Sequence, residues 1–175
     1  MEAAILIERM KRDHERVLRE LAELERALAC AAQKERWSGE LGGLVEMLQR
    51  QFRTHMAAED DILYPAIMRA IPASAGSLEP LADEHAELRQ MLLRLRATLR
   101  EPDGEERDEQ IAIQVHDLAE LLRLHIRKEE SLVLSVAARL LRPEEIHAVL
   151  ERMSAGSETK AAEPPLPLTK KGSSR

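Results

Sequence analysis

The chain has 175 residues, enough for one domain of ordinary size. Lys plus Arg number 26 against 32 Asp plus Glu, and a net charge of −6 argues against the basic footprint of a nucleic-acid binder. Trp37, Phe52 and Tyr64 are the only aromatics, and the dominance of Ala, Leu, Glu and Arg favours helices over sheets.

Apolar periodicity predicts four long amphipathic helices and a short fifth. The first covers about residues 3 to 32, with Ile7, Met10, Val17, Leu21, Leu24 and Leu28 on one face. Its opening, MEAAILIERMKRDHE, has too short and too charged an apolar run for a signal peptide. Near its end lies Cys30, the single cysteine, so no disulfide within the chain and no CxxC motif can form. A break at QKERWSG follows, with Ser38 as the expected N-cap. The second helix runs to about residue 70, with Leu44, Leu48, Phe52, Ile62 and Leu63 inside and a kink or restart expected at Pro65. IPASAGSLEP reads as a loop. Helix three places Leu78, Leu81, Leu88, Leu92 and Leu95 inside. EPDGEER reads as a turn in which Asp103 and Glu106 are spaced as a capping box. Helix four runs to about residue 141, through Val115, Leu118, Leu122 and Leu132. Pro143 suits the first position of the short fifth helix. The expected fold is all-α: an up-down-up-down four-helix bundle over residues 1–153, with residues 154–175 as a disordered tail. No stretch reaches the roughly 18 apolar residues of a membrane span. The expectation is a soluble cytoplasmic protein with no nucleic-acid and no membrane partner.

Four histidines fall on these apolar stripes, one per helix: His14, His55, His85 and His125. His55 opens HMAAEDD and His125 opens HIRKEES, so Glu59 and Glu129 each follow a histidine by four residues and share its face. His14 and His55 are 41 residues apart, His85 and His125 are 40 apart, and both midpoints fall in expected turns. An antiparallel hairpin would therefore set each pair level. DHERVLREL against EHAELRQML repeats as well, so the chain reads as a duplicated helical hairpin. The leg from His55 to His85 looks less symmetric, which requires its loop to fold back along the bundle.

An ionised carboxylate in an apolar core costs several kcal/mol, roughly, unless it is paired or bound to metal. Two glutamates and four imidazoles facing one core, without matching Lys or Arg, call for a metal pair of the kind helix bundles build. With Glu59 and Glu129 as bridges, each metal receives two oxygens and two nitrogens. An oxo or hydroxo bridge makes a fifth ligand and leaves about one position open for oxygen, peroxide, nitric oxide or water. The sulfur-free donor set suits iron, with manganese or zinc as alternatives.

His14, His55 with Glu59, His85, and His125 with Glu129, together with HMAAEDDILYPAI, resemble the hemerythrin-like, or HHE cation-binding, family over about residues 5 to 153. The resemblance implies a four-helix bundle holding a non-haem di-iron centre. The oxygen carriers of that family use five histidines, two of them one turn apart on helix three, where this chain has Leu81 and Arg89 around His85. They also place a fourth-helix Asp five residues after its histidine. Here Glu129 stands at four and Glu130, its rival, at five. The duplicated six-ligand pattern looks more like bacterial di-iron proteins linked to iron–sulfur repair and nitric oxide stress, although their extra N-terminal domain is not seen, and like relatives that decompose peroxide.

The leading function is therefore binding or reduction of a small diatomic or peroxide ligand at a di-iron centre, with enzymatic turnover and any catalytic residue left open. The alternative is an oxygen or iron sensor, or an iron donor, without significant turnover. Away from the site, His116 and His147 should face solvent or packing surfaces. Asp13, Glu15 and Glu84 read as solvated surface, with a hydrogen bond to a ligand histidine as the lesser reading. Tyr64, five residues past Glu59, should point elsewhere on an ideal helix. Met10, Phe52 and Cys30 read as packing residues.

Overall fold

The computed structural model describes residues 2–31 and 38–158. Among them there are five helices and no strand: α1 (Glu2–Ala31), α2 (38–70), α3 (Ala75–Thr98), α4 (105–140) and α5 (Pro143–Glu158). The expected tail begins at residue 154, but α5 runs on through Glu158; the expected break before Ser38, the side chains of Cys30 and Ser38, and the rest of the expected tail lie outside the described residues. No described helix is long and apolar enough to cross a membrane.

Two helices are interrupted in the same way. α2 consists of Ser38–Ala58, a π-turn over Glu59–Leu63 and Tyr64–Ala70. α4 consists of Glu105–Lys128, a π-turn over Glu129–Val133 and Leu134–Leu140. Each turn is closed by an i+5 bond, from Tyr64 N–H to Glu59 O and from Leu134 N–H to Glu129 O. Pro65 is the second residue of the segment after the first π-turn, in its opening turn, where its missing N–H is tolerated. Proline does not cause the turn, because Ser135 occupies the matching place after the second.

The extra residue in each π-turn advances the buried face by one position. Leu63 and Val133 are buried, whereas Leu132, expected inside, is 54% exposed. The α2–α3 connection is also shorter than expected. A 3₁₀ turn over Pro72–Ser74 leads straight into α3, and Pro80 lies within that helix. Pro80 cannot donate to the carbonyl of Gly76 one turn earlier, and Gly76 is exposed. The midpoint between His55 and His85 falls at residue 70, the end of α2, so the leg between them is nearly symmetric and no loop folds back. The expected capping box is absent: Gly104 is the N-cap of α4, and Asp103 accepts a hydrogen bond from the buried Arg107 instead.

The core has two parts. One, toward the α3–α4 turn, joins Leu21, Leu24, Leu48, Phe52, Leu88, Leu92, Leu118 and Leu122, among others. The other joins Leu6, Met10, Leu63, Tyr64, Leu81, Val133 and Leu134 with Ile146, Val149 and Met153 of α5. α5 thus caps the second cluster, packing against α1 and α2. The four stripe histidines and both glutamates lie between the clusters, since His14 falls between Met10 and Val17, and His85 between Leu81 and Leu88.

Candidate metal centre

All six stripe residues meet in one buried layer. His14, His55, Glu59 and Glu129 form one group, and Glu59, His85 and His125 a second, each with its ligand atoms within 4.8 Å of one another. His14 and His55 rings stand edge to face at 4.8 Å, and His85 and His125 rings are tilted against each other at 4.6 Å. Each helical hairpin therefore brings its two histidines level, and Glu59 touches both groups.

The Nε2 atoms point inward. His14 Nε2 lies 3.1 Å and His125 Nε2 3.7 Å from Glu129 Oε2. His55 Nε2 lies 2.9 Å from Glu59 Oε1, and His85 Nε2 3.4 Å from Glu59 Oε2. His85 Nε2 and His125 Nε2 are 2.9 Å apart. Three of the four Nδ1 atoms face carboxylates on the outside of the layer. His85 Nδ1 is 2.6 Å from Asp60, His14 Nδ1 3.0 Å from Glu130, and His125 Nδ1 3.1 Å from Glu84. Ionised carboxylates only accept, so these Nδ1 atoms carry the hydrogen; a neutral His85 or His125 then turns a bare Nε2 lone pair inward, whereas His14, shifted toward its charged form, also donates Nε2–H to Glu129 Oε2.

That arrangement lacks a cation. The His85 and His125 lone pairs face each other, and neither oxygen of the buried Glu59 makes a hydrogen bond among the described residues. His55 Nε2 is likewise unbonded. A buried group left in this state is costly, and orphaned donor atoms converging on one point fit a metal ion. Four nitrogens and two carboxylates without sulfur form a donor set for iron, manganese or zinc. His14, His55, Glu59, His85, His125 and Glu129 could hold such ions.

The electrostatics divide the two glutamates. Burial, then the charge of Glu129, push Glu59 well above its ordinary value. Burial also opposes ionisation of Glu129, but the hydrogen bond from His14 and the charges of His55, His14 and His125 outweigh it and hold that carboxyl low. His14 is shifted up: burial works against its charge, and the Glu129 hydrogen bond prevails. Burial lowers His55 and His125.

In the sequence pattern Asp60 goes unmarked, and Tyr64, Glu84 and Glu130 take other or lesser roles. Tyr64 lies in the core: its hydroxyl donates to Glu129 Oε1 at 2.8 Å, and its ring stacks on His85 at 5.6 Å between centroids. The π-turn supplies the reason, because it brings residues five apart onto one face. Asp60 bonds His85 and is itself held by Arg89 at 3.2 Å. Glu84, read as surface, bonds both His125 and Lys128. Glu130, the rival fourth-helix ligand, is 36% exposed in its side chain and backs His14, while Glu129 is fully buried in the layer. Adjacency to a ligand in sequence was the available signal for Asp60, Glu84 and Glu130. His116 is exposed, and His147 pairs with Glu151 at the surface.

The model of the Hemerythrin HHE cation binding domain family matches residues 5–137. No curated protein matches the chain closely enough to count as a relative.

Proposed function

Because the chain belongs to the hemerythrin HHE cation-binding family, we propose that His14, His55, Glu59, His85, His125 and Glu129 hold two iron ions, and that the protein binds or reduces a small oxygen, peroxide or nitric oxide ligand there. The single observation carrying the reading is the inward convergence of metal-ligating atoms: the Nε2 atoms of His85 and His125 set 2.9 Å apart, beside His55 Nε2 and the two Glu59 oxygens, which have no hydrogen-bond partner among the described residues. His14 and His55 would hold one ion and His85 and His125 the other, with Glu59 and Glu129 as the carboxylates within reach of the pair. Iron held in this way supplies redox chemistry and affinity for small ligands.

The chain's own groups shape what can happen at the site. The apolar clusters above and below the layer limit water, which strengthens every charge interaction within it. Tyr64 keeps its proton: burial, then the charges of Glu59 and Glu129, push its phenol far up. It is therefore a fixed hydrogen-bond donor to Glu129 Oε1, next to the His85 ring. Asp60, Glu84 and Glu130 fix the tautomers of their histidines and raise their basicity as ligands.

Metal analysis of aerobically purified full-length chain tests this, joined to its visible spectrum. Two irons per chain with oxygen-to-iron charge-transfer absorption support the reading. Zinc alone, or no metal after anaerobic iron reconstitution, sinks it. Peroxide consumption by the loaded protein then separates turnover from simple ligand binding.

A further inference from the structure

The two halves of the layer repeat, but one hydrogen bond is missing. The duplication equates His14 with His85, His55 with His125, Glu59 with Glu129, Asp60 with Glu130 and Asp13 with Glu84. Asp60 and Glu130 act alike, each reaching the first histidine of the other hairpin. Asp13 and Glu84 do not. Glu84 crosses to His125 Nδ1 and is clamped by Lys128. Asp13 is one methylene shorter and is drawn by Arg9, one turn earlier, into an ion pair at 3.2 Å. His55 Nδ1 is left buried without a hydrogen-bond partner among the described residues.

A histidine ligand whose outer nitrogen is bonded to a carboxylate has a fixed ring and a more basic inner nitrogen, and loss of that support costs about 10- to 100-fold in metal affinity. His85 and His125 both have it, each through a carboxylate that a surface cation holds in place. In the other pair only His14 does. We propose, building on the two-metal reading above, that the positions are inequivalent: the ion between His14 and His55 binds last and leaves first, with Asp13 and Glu84 as the positioning residues that set the difference. Proximity to the bridging glutamates does not produce this order, since Glu129 Oε2 lies nearer to His14 than to His125.

The test loads full-length protein anaerobically with two equivalents of ferrous iron and follows release into an excess of a coloured ferrous chelator. Two phases of one equivalent each are expected, with rates about tenfold or more apart. Glu84→Gln should speed the slow phase about tenfold and leave the fast phase alone. Asp13→Glu, which restores the missing methylene, should slow the fast phase and leave the slow one alone. A single phase in the unaltered protein would overturn the inference while leaving the two-metal reading intact. So would an effect of Glu84→Gln confined to the fast phase. Uptake of fewer than two equivalents removes the two-metal reading itself.

Discussion

Both carboxylate oxygens of Glu59 are buried without a hydrogen bond, and its pKa is raised well above 4.5 by burial and then by Glu129. Without metal, the folded state therefore holds a proton that the unfolded chain gives up above that value. More protons bound in the folded state means that stability falls as pH rises from about 4.5 toward the raised value. Glu59→Gln removes that penalty, because an amide needs no proton to stay neutral. At neutral pH the metal-free variant should melt higher than the metal-free parent, on the order of 5 °C. The same variant should lose the paired metals. Calorimetry on chelator-treated samples, run beside iron analysis, checks both signs; a lower melting point and retained iron would contradict the assignment. Tyr64→Phe asks a different question. It leaves the ring on His85 and removes the donor to Glu129 Oε1, so the bundle should fold and keep its metals while losing about 1–3 kcal/mol, measured by urea denaturation. The six inward residues were legible because they repeat on apolar stripes. Asp60, Glu84 and Glu130 were not, because each bonds a histidine on a different helix, and spacing along one helix carries no distance between helices.

At the level of elements, the π-turns decide which side chains meet. Regular 3.6-residue periodicity placed Leu132 inside with Ile62 and Leu63 and sent Tyr64 away; five-residue closure at Glu59–Leu63 and Glu129–Val133 exposes Leu132, leaves Ile62 half-buried, keeps Leu63 buried and adds Tyr64 and Val133 to the core. The helices, their order and the level pairing of histidines survived in the sequence pattern because most of each helix is regular. The local change of period did not, since a π-turn leaves no composition of its own and the proline beside one copy is absent from the other. The structural reading has a direct check in adjacent positions. Leu132→Lys places a charge at an exposed site and should change stability by no more than about 0.5 kcal/mol. Val133→Lys buries that charge in the second cluster and should cost several kcal/mol, roughly, or prevent folding. Urea midpoints in the reverse order would mean that α4 continues as an ordinary helix past Glu129.

For the whole molecule, the polar layer divides the hydrophobic core, and what fills the layer sets how firmly its two parts are joined. Val17, Leu88 and Leu122 belong to one cluster, Met10, Leu81 and Leu63 to the other, and every helix of the four-helix bundle passes through the layer between them. α5 seals the far end with Ile146, Val149 and Met153, and among the described residues it adds none to the candidate metal groups. In the metal-free chain the layer holds opposed imidazole nitrogens and a buried Glu59 carboxyl, kept protonated by its raised pKa and without a hydrogen-bond partner among the described residues, at the centre of the fold. A cation there binds the folded state and finds no such site in the unfolded one, so its binding free energy becomes folding free energy. At a free metal concentration 100 times the dissociation constant, one site adds about 2.7 kcal/mol, which in a chain of this size raises the melting point by roughly 5–10 °C. The loaded protein should therefore melt higher than the chelator-treated protein, the gap should widen with added free metal, and returning ferrous iron anaerobically should restore it. α5 should respond as well: amide hydrogen exchange in Ile146–Met153 should slow on loading, because this helix packs on the cluster that contains Tyr64 and Leu63, beside the layer. If loading protected only the residues around the four histidines and left α5 unchanged, the layer would be a local clasp with no hold on the rest of the bundle.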